Sequence, residues 1–306
     1  MIASIRNHWK KFLPALWILL FSSCHADKNY FALINPKPAV VFDYHQSSYP
    51  LLPSFSSQKK HLQKKDRNTK DDFLLRNELQ TASFQSFKKT VRHQAQIFSD
   101  SFFIESPKKV KQIALTFDDG PYPHYDEKIL KILKKYRAKA TFFLLGKNME
   151  RFPYVVRKIQ SEGHALGNHS YNHPDLRRFS KEFVYRYQVG KTQEIFENII
   201  DLKPAIFRPP YGAITAEQID FLSNKGIRTV NWSIDTFDWR RSSKKEIVKN
   251  VSHYAHEGAI ILMHSGGGDR QRTVQALPQI IEELRLRDYT FVTIPELLQI
   301  PAYLEI

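Results

Sequence analysis

Lys111-Gln112-Ile113-Ala114-Leu115-Thr116-Phe117-Asp118-Asp119-Gly120-Pro121 reads as an apolar strand that runs into two adjacent carboxylates and is then turned aside by Gly and Pro. Downstream, the pattern repeats. Further short apolar stretches fall at 140–145, 165–168, 205–208, 228–234, 259–263 and 290–293. Between them lie helical stretches such as 126–136, with Asp126 as its expected N-cap, 183–200, 215–224 and 274–287. Strands alternating with helices predict an α/β fold, a distorted (β/α) barrel of about seven strands. In such a barrel the C-terminal strand ends converge on one face, where chemistry is built.

The residues at those strand ends are unusually polar. Asp118 and Asp119 leave the first strand; adjacent carboxylates point in different directions and can take different tasks, although Asp-Gly-Pro is also ordinary turn chemistry. The third strand ends in Asn168-His169-Ser170-Tyr171-Asn172-His173-Pro174, whose two imidazoles, joined by one Asp, make a two-His, one-carboxylate metal site with open positions. Arg208-Pro209-Pro210-Tyr211-Gly212 follows the fourth strand and offers a permanent cation on a rigid loop, with a backbone N–H suited to an oxyanion. Asp235-Thr236-Phe237-Asp238-Trp239 follows the fifth. Leu262-Met263-His264-Ser265 and three glycines follow the sixth, and a His beside carboxylates can be tuned as a general acid.

Upstream of the barrel, residues 27–107 hold scattered Pro and a charged stretch from Lys59 to Asp72, and read as a basic, partly ordered spacer. Within it, Phe73, Leu74, Leu75, Leu79, Phe84, Phe87 and Val91 recur near helical spacing, predicting an amphipathic helix over 72–96 that packs on the catalytic domain at 108–306. At residues 1–26, Arg6, Lys10 and Lys11 precede an apolar run from Phe12 to Phe21 and the small pair Ser22-Ser23, the order of an export signal. Phe21-Ser22-Ser23-Cys24 is a loose lipobox, so Cys24 is a candidate lipidation site and the N-terminus a candidate membrane attachment. Cleavage after Ala26 and an uncleaved anchor are the alternatives. Each reading places the barrel in the periplasm or cell envelope.

A single Cys excludes an intramolecular disulfide framework and a thiolate-rich zinc site. The formal net charge of +15 favours polyanionic partners. That excess is spread along the chain, and no helix-turn-helix, zinc-finger or RNA-recognition signature accompanies it, so nucleic acid is not the expected partner. Oligomeric state leaves no trace in the sequence.

TFDDG at 116–120, HSYNHP at 169–174, RPPYG at 208–212, DTFDW at 235–239 and LMH at 262–264 stand in the order found in the polysaccharide deacetylases of carbohydrate esterase family four, and residues 108–298 resemble their NodB-homology domain. The resemblance implies that Asp118 is the general base and that Asp119, His169 and His173 hold one divalent metal ion, zinc above all, with cobalt or nickel as substitutes. It further implies that Arg208 orients the base, that the Tyr211 backbone N–H receives the oxyanion, and that His264 is the general acid with Asp235 setting its pKa. Trp239 and Leu262 would wall the acetyl pocket. Ala165 and Ser265 depart from the residues common in relatives, Glu and Asp, and lie outside this catalytic set. The implied activity is hydrolytic removal of N-acetyl groups from an envelope polysaccharide, with N-acetylglucosamine of peptidoglycan as the leading substrate. Chitin-type oligomers, an exopolysaccharide or acetylated xylan are alternatives, and a non-catalytic glycan-binding protein is the competing class.

Overall fold

The computed structural model describes residues 85–305, all within the unit Tyr49–Ile306. The expected signal at 1–26, Cys24, and the spacer and helix expected up to residue 84 lie outside the described residues. Helix α1 occupies 85–97, the C-terminal part of the helix expected from periodicity.

Nine strands among the described residues form the sheet: β1 (Phe102–Phe103), β2 (Gln112–Gly120), β3 (Ala140–Leu144), β4 (Ala165–Asn168), β5 (Ile206–Phe207), β6 (Arg228–Val230), β7 (Ile234–Asp235), β8 (Ile260–His264) and β9 (Thr290–Phe291). All their pairings are parallel, in the order β1-β6-β5-β4-β3-β2-β8-β7, with β9 also on β2. Parallel strands need crossovers. Helices α2 (Pro123–Lys135), α3 (Gly146–Arg151), α4 (Pro153–Ser161), α5 (Lys181–Phe183), α6 (Lys191–Ile200), α7 (Ala216–Ser223), α8 (Lys244–Tyr254), α9 (Gln271–Arg285) and α10 (Ile294–Leu298) accompany the strands, and a π-helical segment, Val184–Gly190, links α5 to α6. The result is a curled, open parallel barrel, as the alternation predicts.

Side-chain alternation divides the strands into two faces. Ile113, Leu115 and Phe117 of β2, Phe142 and Leu144 of β3, and Ile261 and Met263 of β8 join one buried cluster with Ile129, Leu133, Val248, Leu277 and Ile281 of the surrounding helices. Ala114, Phe143, Ile206, Val230 and Ile260 turn the other way and meet Ile294, Leu297 and Leu298 of α10. Helix α10 is further fixed by Thr141, whose Oγ1 accepts the Ile294 N–H at 2.8 Å. The central strands β2, β3 and β8 thus carry apolar residues on both faces, as a sheet covered on both sides requires.

Three expectations change. The stretch 228–234 is not one strand: after Val230 the chain crosses the open side of the barrel, where the Asn231 N–H donates to Phe103 O and the Ser233 N–H to Ile260 O, so β6 lies next to the edge strand β1 while β7 forms the other edge of the sheet. Asp126 does not cap its helix. Pro123 opens α2 with Tyr122 at the N-cap, and the Asp126 carboxylate folds back to accept the Tyr122 N–H. Finally, β1, a strand not expected from the sequence, pairs with β6 upstream of residue 108; next to it Phe87, Val91, Ala95 and Phe98 pack with Phe207, Ile214, Ile219 and Leu222.

Candidate active site

Two neighbouring strands set the level of the site. In the β2–β8 register Thr116 faces Leu262 and Asp118 faces His264, and all four lie on the inward side by alternation. A regular strand would send the next residue, Asp119, to the opposite face. The register instead shifts between Asp118 and Gly120, and Asp119 adopts φ 68°, a bulge that turns its carboxylate back beside that of Asp118. Asp119 Oδ1 then lies 3.5 Å from both His169 Nε2 and His173 Nε2.

The histidines are held by their own loop. The Ser170 N–H donates to Asn168 Oδ1 at 2.9 Å, and the His173 N–H donates to Ser170 Oγ at 3.0 Å. Ser170 and His173 both take positive φ, 71° and 62°, which coils the segment and brings the two rings to 5.0 Å. Gln188, buried in the π-helical segment, accepts the Tyr171 N–H with Oε1 and donates from Nε2 to Asn172 Oδ1. His169 Nδ1 lies 2.7 Å from Arg208 O. A carbonyl can only accept, so Nδ1 carries the proton and Nε2 presents its lone pair toward Asp119.

Arg208 is fully buried beneath this cluster. Its Nη1 donates to Asp118 Oδ1 at 2.8 Å and to Thr116 Oγ1 at 2.7 Å, Nε to Val230 O and Nη2 to Asn231 O, while the guanidinium lies 4.0 Å over the Phe143 ring. A buried charge paired and hydrogen-bonded on every side is the form in which such a group is tolerated. Tyr211, at φ 59°, places its ring 4.5 Å from that of His173.

Burial alone would raise the Asp119 carboxyl, but His173, His264, His169 and Arg270 outweigh it and hold the group near 2. Burial presses His173 down to about 4. At neutral pH Asp119 is therefore a carboxylate and His173 a neutral imidazole, the protonation states a divalent ion requires. Asp119 Oδ1 is buried with no hydrogen-bond partner, and the three ligand atoms lie within 4.8 Å of one another, so these residues fit a single divalent metal ion.

The polysaccharide deacetylase sequence profile matches residues 105–230. A peptidoglycan-N-acetylglucosamine deacetylase of Bacillus cereus is 42% identical over 200 residues, covering 65% of this chain and 72% of the relative. The chain belongs to the polysaccharide deacetylase family. The solved Bc1960 peptidoglycan N-acetylglucosamine deacetylase superposes with a TM-score of 0.66 at 40% identity, over 68% of this chain and 97% of that one. A carbohydrate esterase family four pseudoenzyme of Bacillus anthracis superposes at 0.61 with 30% identity, over 64% and 68%.

Within this deacetylase barrel the partner of His264 is Asp238 rather than Asp235. Asp238 Oδ1 lies 2.8 Å from His264 Nδ1, and its Oδ2 accepts the His264 N–H and the Thr273 hydroxyl. Burial opposes a charged His264, but Asp238 outweighs it and raises the imidazole above its ordinary value. Asp235, three residues earlier and the last residue of β7, accepts instead from the Phe237 N–H at 2.7 Å and from Trp239 Nε1 at 3.3 Å. Burial pushes it up to about 6. Leu262 is buried on β8 one inward level before His264, and the Trp239 ring lies 4.5 Å from the Arg240 guanidinium.

Three contributors escape a motif reading. A Cβ on Gly266 would lie 2.1 Å from Asp119 O and one on Gly267 2.5 Å from Asp119 Oδ2, so the glycine loop is pressed against the Asp119 bulge. Buried Arg270 pins that loop, donating from Nε to Gly266 O at 2.7 Å and from Nη2 to Gly267 O at 3.2 Å. From outside the profile match, α1 braces the RPPYG loop: the Phe87 ring abuts Gly212 and lies 6.2 Å from that of Trp232, and Gln94 Nε2 donates to Ile214 O at 2.8 Å. The run of glycines was visible in the sequence, but what it packs against was not.

Proposed function

We propose that this deacetylase removes the acetyl group from N-acetylglucosamine residues of peptidoglycan, using one zinc ion held by Asp119, His169 and His173. The observation that carries the reading is the joint placement of that ligand set, the Arg208-bound Asp118 and the Asp238-bound His264 at the mouth of one barrel. Two of the three relatives named above carry the same activity in their names.

An amide carbonyl is a poor electrophile; a divalent ion held by Asp119, His169 and His173 would supply the Lewis acidity that polarises it and lowers the pKa of water. Arg208 donates to Asp118 Oδ1 and fixes the orientation of that carboxylate, leaving Oδ2 to take a proton from the attacking water. The Tyr211 backbone N–H donates to the developing oxyanion, on a loop stiffened by Pro209 and Pro210. Asp238 binds Nδ1 of His264, so Nε2 delivers the proton to the departing nitrogen. Leu262 and Trp239 receive the acetyl methyl. Acetate and a free amino sugar are the products.

The N-terminal order of charge, apolar run and small residues supports export to the envelope, with Cys24 as a lipid attachment point. Among the described residues no helix is long and apolar enough to cross a membrane.

Acetate release by the zinc-loaded chain from purified peptidoglycan, abolished by chelator and restored by zinc, is the expected result. Release from chitin oligomers alone would move the substrate. No release from either would favour a non-catalytic glycan-binding protein.

A further inference from the structure

Between the metal-ligand loop and α6 the chain exposes three aromatic rings in a row. Ser180 Oγ accepts the Phe183 N–H and starts the helix, and Phe179, Phe183 and Tyr187 then recur every fourth residue. Their ring centroids are 4.7 and 4.8 Å apart, yet they remain 36%, 37% and 47% exposed. A contiguous apolar patch with a polar rim marks a surface that meets something. Four residues beyond Tyr187, the Lys191 ammonium lies 3.4 Å from the centre of the Tyr171 ring, and Tyr171 stands between His169 and His173. Gln188 joins the same helix to the Tyr171 and Asn172 backbone. The row therefore ends at the loop that carries the metal ligands.

The rim is basic. From 175 to 191 it holds Arg177, Arg178, Lys181, Arg186 and Lys191 against Asp175 and Glu182, and Asp175 is already paired with Arg177 at 2.8 Å. We propose that this aromatic and basic ridge docks the part of an acidic glycan strand that flanks the sugar being deacetylated. The C–H faces of pyranose rings pack on the aromatic row, and carboxylates carried by the strand pair with the cations. Deacetylation turns neutral amides into ammonium groups, which the same cations repel, so the ridge favours unreacted strand over product. This inference rests on the peptidoglycan reading above and adds an extended binding surface to it.

The test uses the full zinc-loaded chain and two variants, Phe179→Ser/Phe183→Ser/Tyr187→Ser and Arg178→Glu/Lys181→Glu/Arg186→Glu. Co-sedimentation with insoluble peptidoglycan gives Kd, and acetate release gives kcat/KM on that polymer and on an N-acetylglucosamine tetramer. In each variant Kd for the polymer is expected to rise about tenfold and the polymer-to-tetramer ratio of kcat/KM to fall similarly. An unchanged ratio in both variants, or an equal loss on both substrates, overturns the ridge while leaving the deacetylase reading in place. Absence of acetate release from peptidoglycan by the unaltered chain overturns the substrate reading, and the ridge with it. Variants that lose binding to phosphatidylglycerol vesicles but keep polymer affinity would assign the surface to a membrane instead.

Discussion

Asp118 and Asp119 are chemically identical neighbours whose surroundings separate them. Asp118 is tied to Arg208, whereas Asp119 faces two imidazoles with Oδ1 unsatisfied by hydrogen bonds. Asp118→Asn is accordingly expected to retain zinc and lose on the order of a hundredfold or more in kcat, while His169→Ala loses both metal and turnover. Metal content measured alongside rate checks the pair; near-normal turnover in either variant at matched metal occupancy would refute the assignment. The second residue-scale prediction concerns His264. As the acid it must be protonated, so activity falls as pH rises through its pKa, which Asp238 holds above the ordinary value against the opposing effect of burial. Replacing Asp238 by Asn removes the counter-charge, and the alkaline limb of kcat/KM should move to lower pH, further than in Asp235→Asn. A limb that stays in place would mean that another group carries the proton.

At the scale of elements, the site depends on backbone that departs from regular structure. The β2 bulge, the coiled 169–173 loop and the glycine loop after β8 are three irregular segments pressed together, with Asp119 at their meeting point. Gly266→Ala should displace Asp119 and cost metal affinity, read by competition with a chelating dye; unchanged zinc affinity would show that the loop yields. Helix α1 acts on the other side of the site. Phe87→Ala withdraws a half-buried ring from Gly212 and Trp232 and is expected to cost about 1–2 kcal/mol of stability, with a several-fold fall in kcat. Zinc affinity should be unaffected, because the contact supports the Tyr211 loop and not the ligands; a parallel loss of zinc would mean that α1 supports the whole barrel mouth.

For the molecule as a whole, burial of charge sets a pH dependence of stability. Asp126 is buried on α2, where burial raises its carboxyl from 3.8 to about 6 against the opposing effects of Ser265 and the Tyr122 N–H. A raised carboxyl binds its proton more tightly when folded, so this group destabilises the fold above about pH 6, and the penalty is relieved as pH falls from 6 toward 4. Asp126→Asn should therefore raise Tm at pH 8 and give a shrinking gain toward pH 4; a gain independent of pH would point to packing instead. The sequence by itself determined the alternation of strands and helices and the identity of the groups at the strand exits, because periodicity and turn chemistry are local. Asp119, His169 and His173 could be chosen from their motifs. Tertiary structure decided what depends on register and contact. It split 228–234 between β6, next to the edge strand β1, and β7 at the other edge, because the chain had to cross the open side of the barrel. It gave His264 to Asp238 and not Asp235, since the turn after β7 aims the Asp238 carboxylate at β8, while Asp235 at the end of β7 accepts the Phe237 N–H of that turn. It also brought α1 against the RPPYG loop, a contact between residues 120 positions apart in the chain. Such distant contacts leave no local pattern to read.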